Sequence, residues 1–395
     1  MKNTKGFWRD NAKFLVIGAV IGLSLAFLLL YKLGSLVGGL SSQETVSASA
    51  AVGWHGIFSN PLDLPLKLVR SVVFFAVADH GQTLTRLPNA FFGCLAILSF
   101  GLLIWLWHGM RTALLSTAMF ATSAWVLHAS RYASSDVLYL WAVPSLLLIQ
   151  VLLHRYGKKT YVWYGCLLLW GLLLYIPGMI WIMIAQLIFQ RSLLAKTMSN
   201  YSSAKQRLFS ILAVAVWLPL LLFDLTRHNQ LFIWLGLPTH MSGFMHMAKQ
   251  FVAVPVHLFV RGPQYPDLWL DKLPILDIFT FVACLVGIYF YIKNRHATRS
   301  QTLLAMFVTG CLLVGLGGAV SISALVALAY IFIAAGIAYL LTDWLKVFPL
   351  NPLARGLGIA LISIAVLLSC AYNLRSYFIA WPHNDATRVT FRYHR

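Results

Sequence analysis

Long apolar runs broken by short polar segments dominate this chain from residue 13 to residue 374. A helix needs roughly 20 such residues to cross the hydrocarbon core, and the runs predict about eleven spans. They fall at 13–33, 87–107, 111–129, 136–154, 161–175, 178–190, 208–225, 274–292, 301–318, 321–342 and 356–374. The fifth and sixth are short. They are parted by Ile176-Pro177-Gly178, which favours a sharp turn or a broken helix pair. Two connecting segments are long, 34–86 and 226–273, while the other loops and the tail 375–395 are brief. Within the first, "NPLDLPLKLVRSVVFFAVADHG" (60–81) reads as a helix opened by Pro61 and Pro65. Its apolar stretch, Val72 to Ala78, is too short to span, and Lys67, Arg70 and Asp79 at its ends lay it along the membrane surface. The expected fold is all-α: a polytopic integral membrane protein with one transmembrane domain over 1–395 and an interfacial helix in its first external loop.

Composition agrees. The 395 residues are 60% hydrophobic and 10% charged, with a mean hydropathy of +0.78; a soluble chain carries about 25% charged residues. The five cysteines (Cys94, Cys166, Cys284, Cys311, Cys370) sit inside apolar runs with no metal-ligand or disulfide spacing, and read as small buried hydrophobes. The opening "MKNTKGFWRDNAKFLVIGAVIGLSLAFLLL" resembles a secretory signal, and Ala48-Ser49-Ala50 has the look of a cleavage site. Its apolar run of about 18 residues exceeds the 7–15 of a signal peptide, and the cleavage site lies far beyond it. It reads as an uncleaved first span.

Charge sets the orientation. Lys2, Lys5, Arg9 and Lys13 hold the N-terminus in the cytoplasm, and the basic loops around 155–159, 191–207, 293–299 and 346–355 then fall on the same side. Of the 11 acidic residues only Asp10 and Asp343 lie inside on this drawing, and the C-terminus is external. The net charge of +19 is mostly a topology signal. No dense basic stripe is present, which excludes nucleic-acid binding.

Four features fall on the external face. Glu44, the only glutamate in the chain, lies just past the first span in "SSQETV". "TRLPNAFFG" (85–93) brings Arg86 into the second span at headgroup level. "ASRYASSDVLYLW" (129–141) puts Arg131 and Asp136 in a tight turn. "RGPQYPDLWLDKLPILD" (261–277) is rich in Asp, Pro and Trp. Each has an ordinary reading: a solvated cap, a snorkelling anchor, a local ion pair, an interfacial aromatic belt. Their convergence on one face supports chemistry. A carboxylate there can take a proton from an acceptor hydroxyl, and basic side chains can hold a phosphate leaving group. Glu44 and Asp136 offer the alternative of a divalent cation, Mg or Mn, bridging to that phosphate. A transferase with a lipid-linked phosphate donor needs such groups at helix ends, where the headgroup meets water.

The order of these elements resembles the C-type glycosyltransferase (GT-C) fold, and most of all the family of protein O-mannosyltransferases and lipid A aminoarabinose transferases. "RLPNAFFG" (86–93) matches an "RLPSALFG"-like motif at the start of the second span. "SRYASSD" (130–136) matches an "SR…D" turn after the third, and the short spans around "YIPG" (175–178) suit it as well. The resemblance covers about residues 13–190 by motif and the remainder by topology alone. It implies a hexosyl or pentosyl transferase of the cell envelope using a polyprenyl-phosphate-linked sugar. The acceptor is a hydroxyl of a glycan, lipid or protein at the external face, and the protein sits among membrane lipids. It implies Glu44 as the base and Asp136 as a second catalytic or metal-binding carboxylate. Arg86 and Arg131 fall near the phosphate, with Lys67, His55, Arg261 and Lys272 as further binding candidates. On this reading Glu44→Gln abolishes transfer and leaves folding intact.

Two departures stand out. The family's first motif is Asp-Glu, with the Asp as base, whereas this chain has Gln43-Glu44. The late external stretch "VGLGGAVSISALVALAY" (314–330) has no charge where the family carries Arg or His. A catalytically inactive GT-C homologue is therefore one alternative. A transporter or flippase is another, weighed against by charges at span ends and by the lack of a repeat. A non-catalytic envelope scaffold is a third.

Overall fold

The computed structural model describes residues 20–49, 60–76, 81–201, 203–218, 221–222, 226, 229–240, 243–270 and 272–391. Their regular structure is helical. In chain order the helices are α1 (Val20–Leu30), α2 (Ser42–Ser49), α3 (Leu64–Ala76), α4 (Gln82–His108), α5 (Met110–Thr122), α6 (Ala124–Arg131), α7 (Asp136–Tyr156), α8 (Thr160–Leu173) and α9 (Met179–Ser199). They continue with α10 (Ala204–Ala215), α11 (Gln230–Trp234), α12 (Phe244–Phe259), α13 (Ile278–Lys293), α14 (Thr298–Gly315), α15 (Ser323–Val347), α16 (Pro352–Arg375) and α17 (Asp385–Phe391).

Five of these are long and apolar enough to cross a membrane: α4, α7, α9, α15, and α16 with its extension to His383. Three shorter ones, α1, α8 and α13, are apolar as well. The architecture is that of a polytopic membrane protein, although its helices are not the eleven uniform spans of the sequence reading. The run 111–129 is divided at Ser123, where the backbone turns extended between α5 and α6. A free amide at that depth has no water to bond; the Ala124 N–H donates instead to Asn373 Oδ1 of α16 at 3.1 Å. The segment 60–81 is helical over Leu64–Ala76, as α3. The long segment 226–273, read as loop, contains the sixteen-residue α12. Pro255 stands inside it without ending it.

α7 and α15 form the centre. α15 is buried from Ser323 through Ile337, and α7 from Val137 through Leu147. α4 packs along α7, and α13 along α15. The last contact is backbone to backbone: a Cβ on Gly287 would lie 1.8 Å from the Phe332 carbonyl oxygen, and one on Gly336 would lie 2.0 Å from that of Ala283. Asp277, read as an external acid, is a structural residue. Its carboxylate caps α13 by accepting from the Thr280 N–H (2.9 Å), and binds α16 through Ser369 Oγ (2.5 Å) and Asn373 Nδ2 (2.8 Å).

The described part of the tail is largely helical. α16 runs on through a π turn (Ser376–Ala380) and Trp381–His383 into α17. The Trp381 indole donates to the Pro266 carbonyl (3.2 Å), and Phe391 is buried beside the Arg86 guanidinium, 5.9 Å from ring centre to Cζ.

Candidate active site

Ser41-Ser42-Gln43-Glu44 is a capping box at the start of α2. Ser41 Oγ accepts from the Glu44 N–H (3.2 Å), and the Glu44 carboxylate accepts from the Ser41 N–H (3.1 Å). The same carboxylate takes two guanidinium bonds from Arg86, Nε to Oε1 and Nη2 to Oε2, both at 2.7 Å. The Ala133 N–H adds a fourth, at 3.1 Å. Arg86 spends its remaining donors on the Leu33 and Gly39 carbonyls (3.1 and 2.9 Å). Glu44 is 0% exposed and Arg86 3%. The pair pins the chain that leaves α1 to the start of α4 and to the turn before α7.

The other residues of the "RLPN" and "SRYASSD" motifs complete this joint. Asn89 Nδ2 donates to the Ser134 carbonyl (2.6 Å), and Gly93 packs so closely on Ser130 that a Cβ there would lie 2.4 Å from the serine Cβ. Arg131 donates to the Leu28 and Tyr31 carbonyls (2.7 and 2.5 Å), the free carbonyls at the end of α1. It stacks on Tyr377 and Phe378 as well. Arg70 on α3 bonds the Ser47 carbonyl (2.6 Å), tying α3 to α2.

Below this joint lies a cavity of about 470 Å³. It is walled by Gln43, Asp136 and Asp267, by one face of α12, and by the chain from Gly317 to Ile322 between α14 and α15. The α12 face is Gln250, Ala253, Val254 and His257, an i, i+3, i+4, i+7 set. Asp136 opens α7 and accepts from Ser134 Oγ (2.9 Å). Asp267 Oδ2 accepts from the Tyr132 hydroxyl (2.7 Å), which is 2.7 Å from Ser41 Oγ. Burial pushes the Tyr132 phenol far above its usual range, so it keeps its proton and donates to the carboxylate.

The candidate residues thus separate. Asp136 lines the cavity, whereas Glu44, Arg86 and Arg131 meet in the joint above it with their polar atoms turned to one another and to backbone. No oxygen of Glu44 is left for a substrate or a cation, so the base and metal roles expected for it do not fit its surroundings. Among the described residues no three His, Cys, Asp or Glu side chains gather as a metal site. Lys67 Nζ donates to the Asn60 carbonyl on the surface (2.6 Å); Arg261 and Lys272 are exposed and do not line the cavity. His55 lies outside the described residues. Sequence reasoning passed over Gln43, Asp267, Gln250 and His257. Asp267 stood in the Asp-, Pro- and Trp-rich stretch, and the α12 face was readable as a helical stripe.

Asp63, at the foot of α3, gives a pH prediction. Its Oδ1 is buried with no hydrogen-bond partner among the described residues, and burial raises its carboxyl to about 6. A folded-state value above the unfolded one means stability that is full below about pH 4 and is lost as pH climbs through 6, by about 2–3 kcal/mol. Asp63→Asn keeps a residue suited to the local φ of 59°. Melting curves from pH 4 to 7 are expected to show the wild type losing more stability than this variant; parallel curves contradict the assignment.

With the geometry in place, comparison with solved structures is informative. ArnT from Cupriavidus metallidurans bound to undecaprenyl phosphate superposes over 96% of this chain and 77% of its own, with a TM-score of 0.57 and 13% identity. The apo form of the same enzyme scores 0.54 at 12% identity over the same shares. The chain has the GT-C fold of membrane glycosyltransferases. The apo oligosaccharyltransferase of Archaeoglobus fulgidus shares that GT-C fold as well: TM-score 0.53, 15% identity, 94% of this chain and 56% of the other. No family model and no curated protein matches the sequence. At these identities the likeness is one of fold.

Proposed function

We propose that this protein is a membrane glycosyltransferase moving a sugar from a polyprenyl-phosphate donor to an acceptor hydroxyl at the external face. The observation that carries this reading is the pair of carboxylates, Asp136 and Asp267, in one polar cavity at the ends of central helices. Asp136 is the base: it takes the acceptor O–H proton, and the acceptor oxygen attacks the anomeric carbon. The bond from that carbon to the phosphate oxygen breaks, its electron pair leaves with the polyprenyl phosphate, and the configuration inverts. Asp267, steadied by Tyr132, holds sugar or acceptor hydroxyls, with the rings of Trp125 and Tyr265 beside them. His257 and Gln250 supply donors to the departing phosphate, the service the basic candidates are not placed to give. A resident cation forms no part of this scheme.

The test is lipid binding. Purified protein is expected to bind undecaprenyl phosphate and not undecaprenol, with His257→Ala weakening the first about tenfold. Failure of the wild type to distinguish the two lipids overturns the proposal. One observation favours a second reading. The cavity-facing position of the first motif is Gln43, an amide that cannot accept a proton at neutral pH. A homologue that binds the donor and does not transfer would show phosphate-selective binding with no turnover.

A further inference from the structure

The end of the molecule opposite the active-site cavity has a cavity of its own. α7 begins at Asp136 in the first cavity and runs 21 residues, about 30 Å at 1.5 Å per residue, to His154 and Arg155 in the second. α14 runs the other way, from Thr298 and Arg299 to the glycines beside the first cavity. The second cavity measures about 470 Å³. Its walls hold two arginines and two glutamines and no carboxylate.

Three of its polar groups are incomplete. Gln190 is 4% exposed and its Nε2 has no hydrogen-bond partner among the described residues. The buried Nε of Arg299 and Oε1 of Gln150 have none either. Leaving such groups bare costs free energy, and native proteins rarely do so without a ligand or water. Arg299 is held flat by Trp107, with its Cζ 3.9 Å from the ring centre, and its Nη2 is fixed by His108 and Tyr291. Its Nε is thereby aimed rather than mobile. Arg155, on the rim, donates from Nη2 to the Leu106 carbonyl (3.1 Å).

The geometry points to a second binding site here, for a phosphate group carrying a neighbouring hydroxyl. Arg299, Gln190 and Arg155 donate to the phosphate, and Gln150 accepts from the hydroxyl. Beyond Trp107 lies a mixed cavity of about 900 Å³, with Leu115, Leu341 and Ile359 on its apolar side, where an acyl chain can lie, and Arg111, Thr112 and Thr342 on its polar side. A lipid headgroup is one source of this chemistry and free phosphate the other. The site is independent of the proposed transferase reaction.

Native mass spectrometry of the full chain in detergent tests it, with phosphatidylglycerol and phosphatidylcholine as probes. The wild type is expected to retain phosphatidylglycerol about tenfold more strongly, the effect of one or two charge-assisted hydrogen bonds. Gln150→Leu fills the same space without the acceptor for the glycerol hydroxyl, and Arg155→Gln lowers the positive charge at the rim, which favours the anionic lipid. Both are expected to keep the melting temperature and to lose the preference. Loss of the retained lipid on adding inorganic phosphate supports the site with free phosphate as a second occupant. Retention that ignores headgroup, or a preference that survives both substitutions, overturns the inference.

Discussion

Asp136→Asn is expected to cut sugar transfer by about 10²–10⁴-fold, the span that removal of a general base produces. Asparagine has nearly the same shape and still accepts from Ser134 Oγ, so the turn before α7 should hold and the melting temperature should stay within a degree or two. Asp267→Asn serves as the comparison. An amide at 267 still accepts from the Tyr132 hydroxyl, so the loss should be nearer tenfold and should fall on KM. Measuring kcat and KM of both variants in reconstituted membranes decides the roles. If Asp267→Asn is the more damaging in kcat, the base is Asp267; if neither variant slows transfer, the cavity is not the place of reaction.

Glu44→Gln is expected to act on stability. It leaves the Arg86 guanidinium charged, buried and facing an amide, and breaking a buried pair in this way costs about 3–5 kcal/mol. The four hydrogen bonds that converge on this carboxylate make it a joint between three pieces of chain. Combining it with Arg86→Met removes the stranded charge and should recover part of the loss, though the Leu33 and Gly39 carbonyls then go without a donor. Thermal melts of the single and double variants check this. An unchanged melting temperature with abolished transfer would return Glu44 to the chemistry, as the linear sequence had suggested.

The difference between those two expectations shows what the sequence can carry. Apolar runs report burial from water, and they located the helices. They do not report a break such as Ser123, because the residue that repairs it, Asn373, lies 249 positions beyond Ala124, whose N–H it accepts. The motifs "RLPNAFFG" and "SRYASSD" pointed correctly to one end of the molecule. Whether an arginine there meets a phosphate or a carboxylate depends on which loops fold over it. That is settled by the capping box at 41–44, by α12 and by the tail, and all three are distant in the chain. The S-x-x-E spacing of the capping box was visible and carried its own explanation of the lone glutamate. Asp267 was visible too, but one aspartate among several in a loop has no periodicity to distinguish it.

The glycine contact between α13 and α15 bears on motion. Where two backbones touch, no layer of side chains exists that could repack in a second arrangement. Alternating access rocks one bundle against another as rigid bodies, and this contact joins α13 and α15 within one such body. α15 also begins at the rim of the cavity that holds Asp136 and Asp267, so the wall it gives that cavity belongs to a pair of helices locked backbone to backbone.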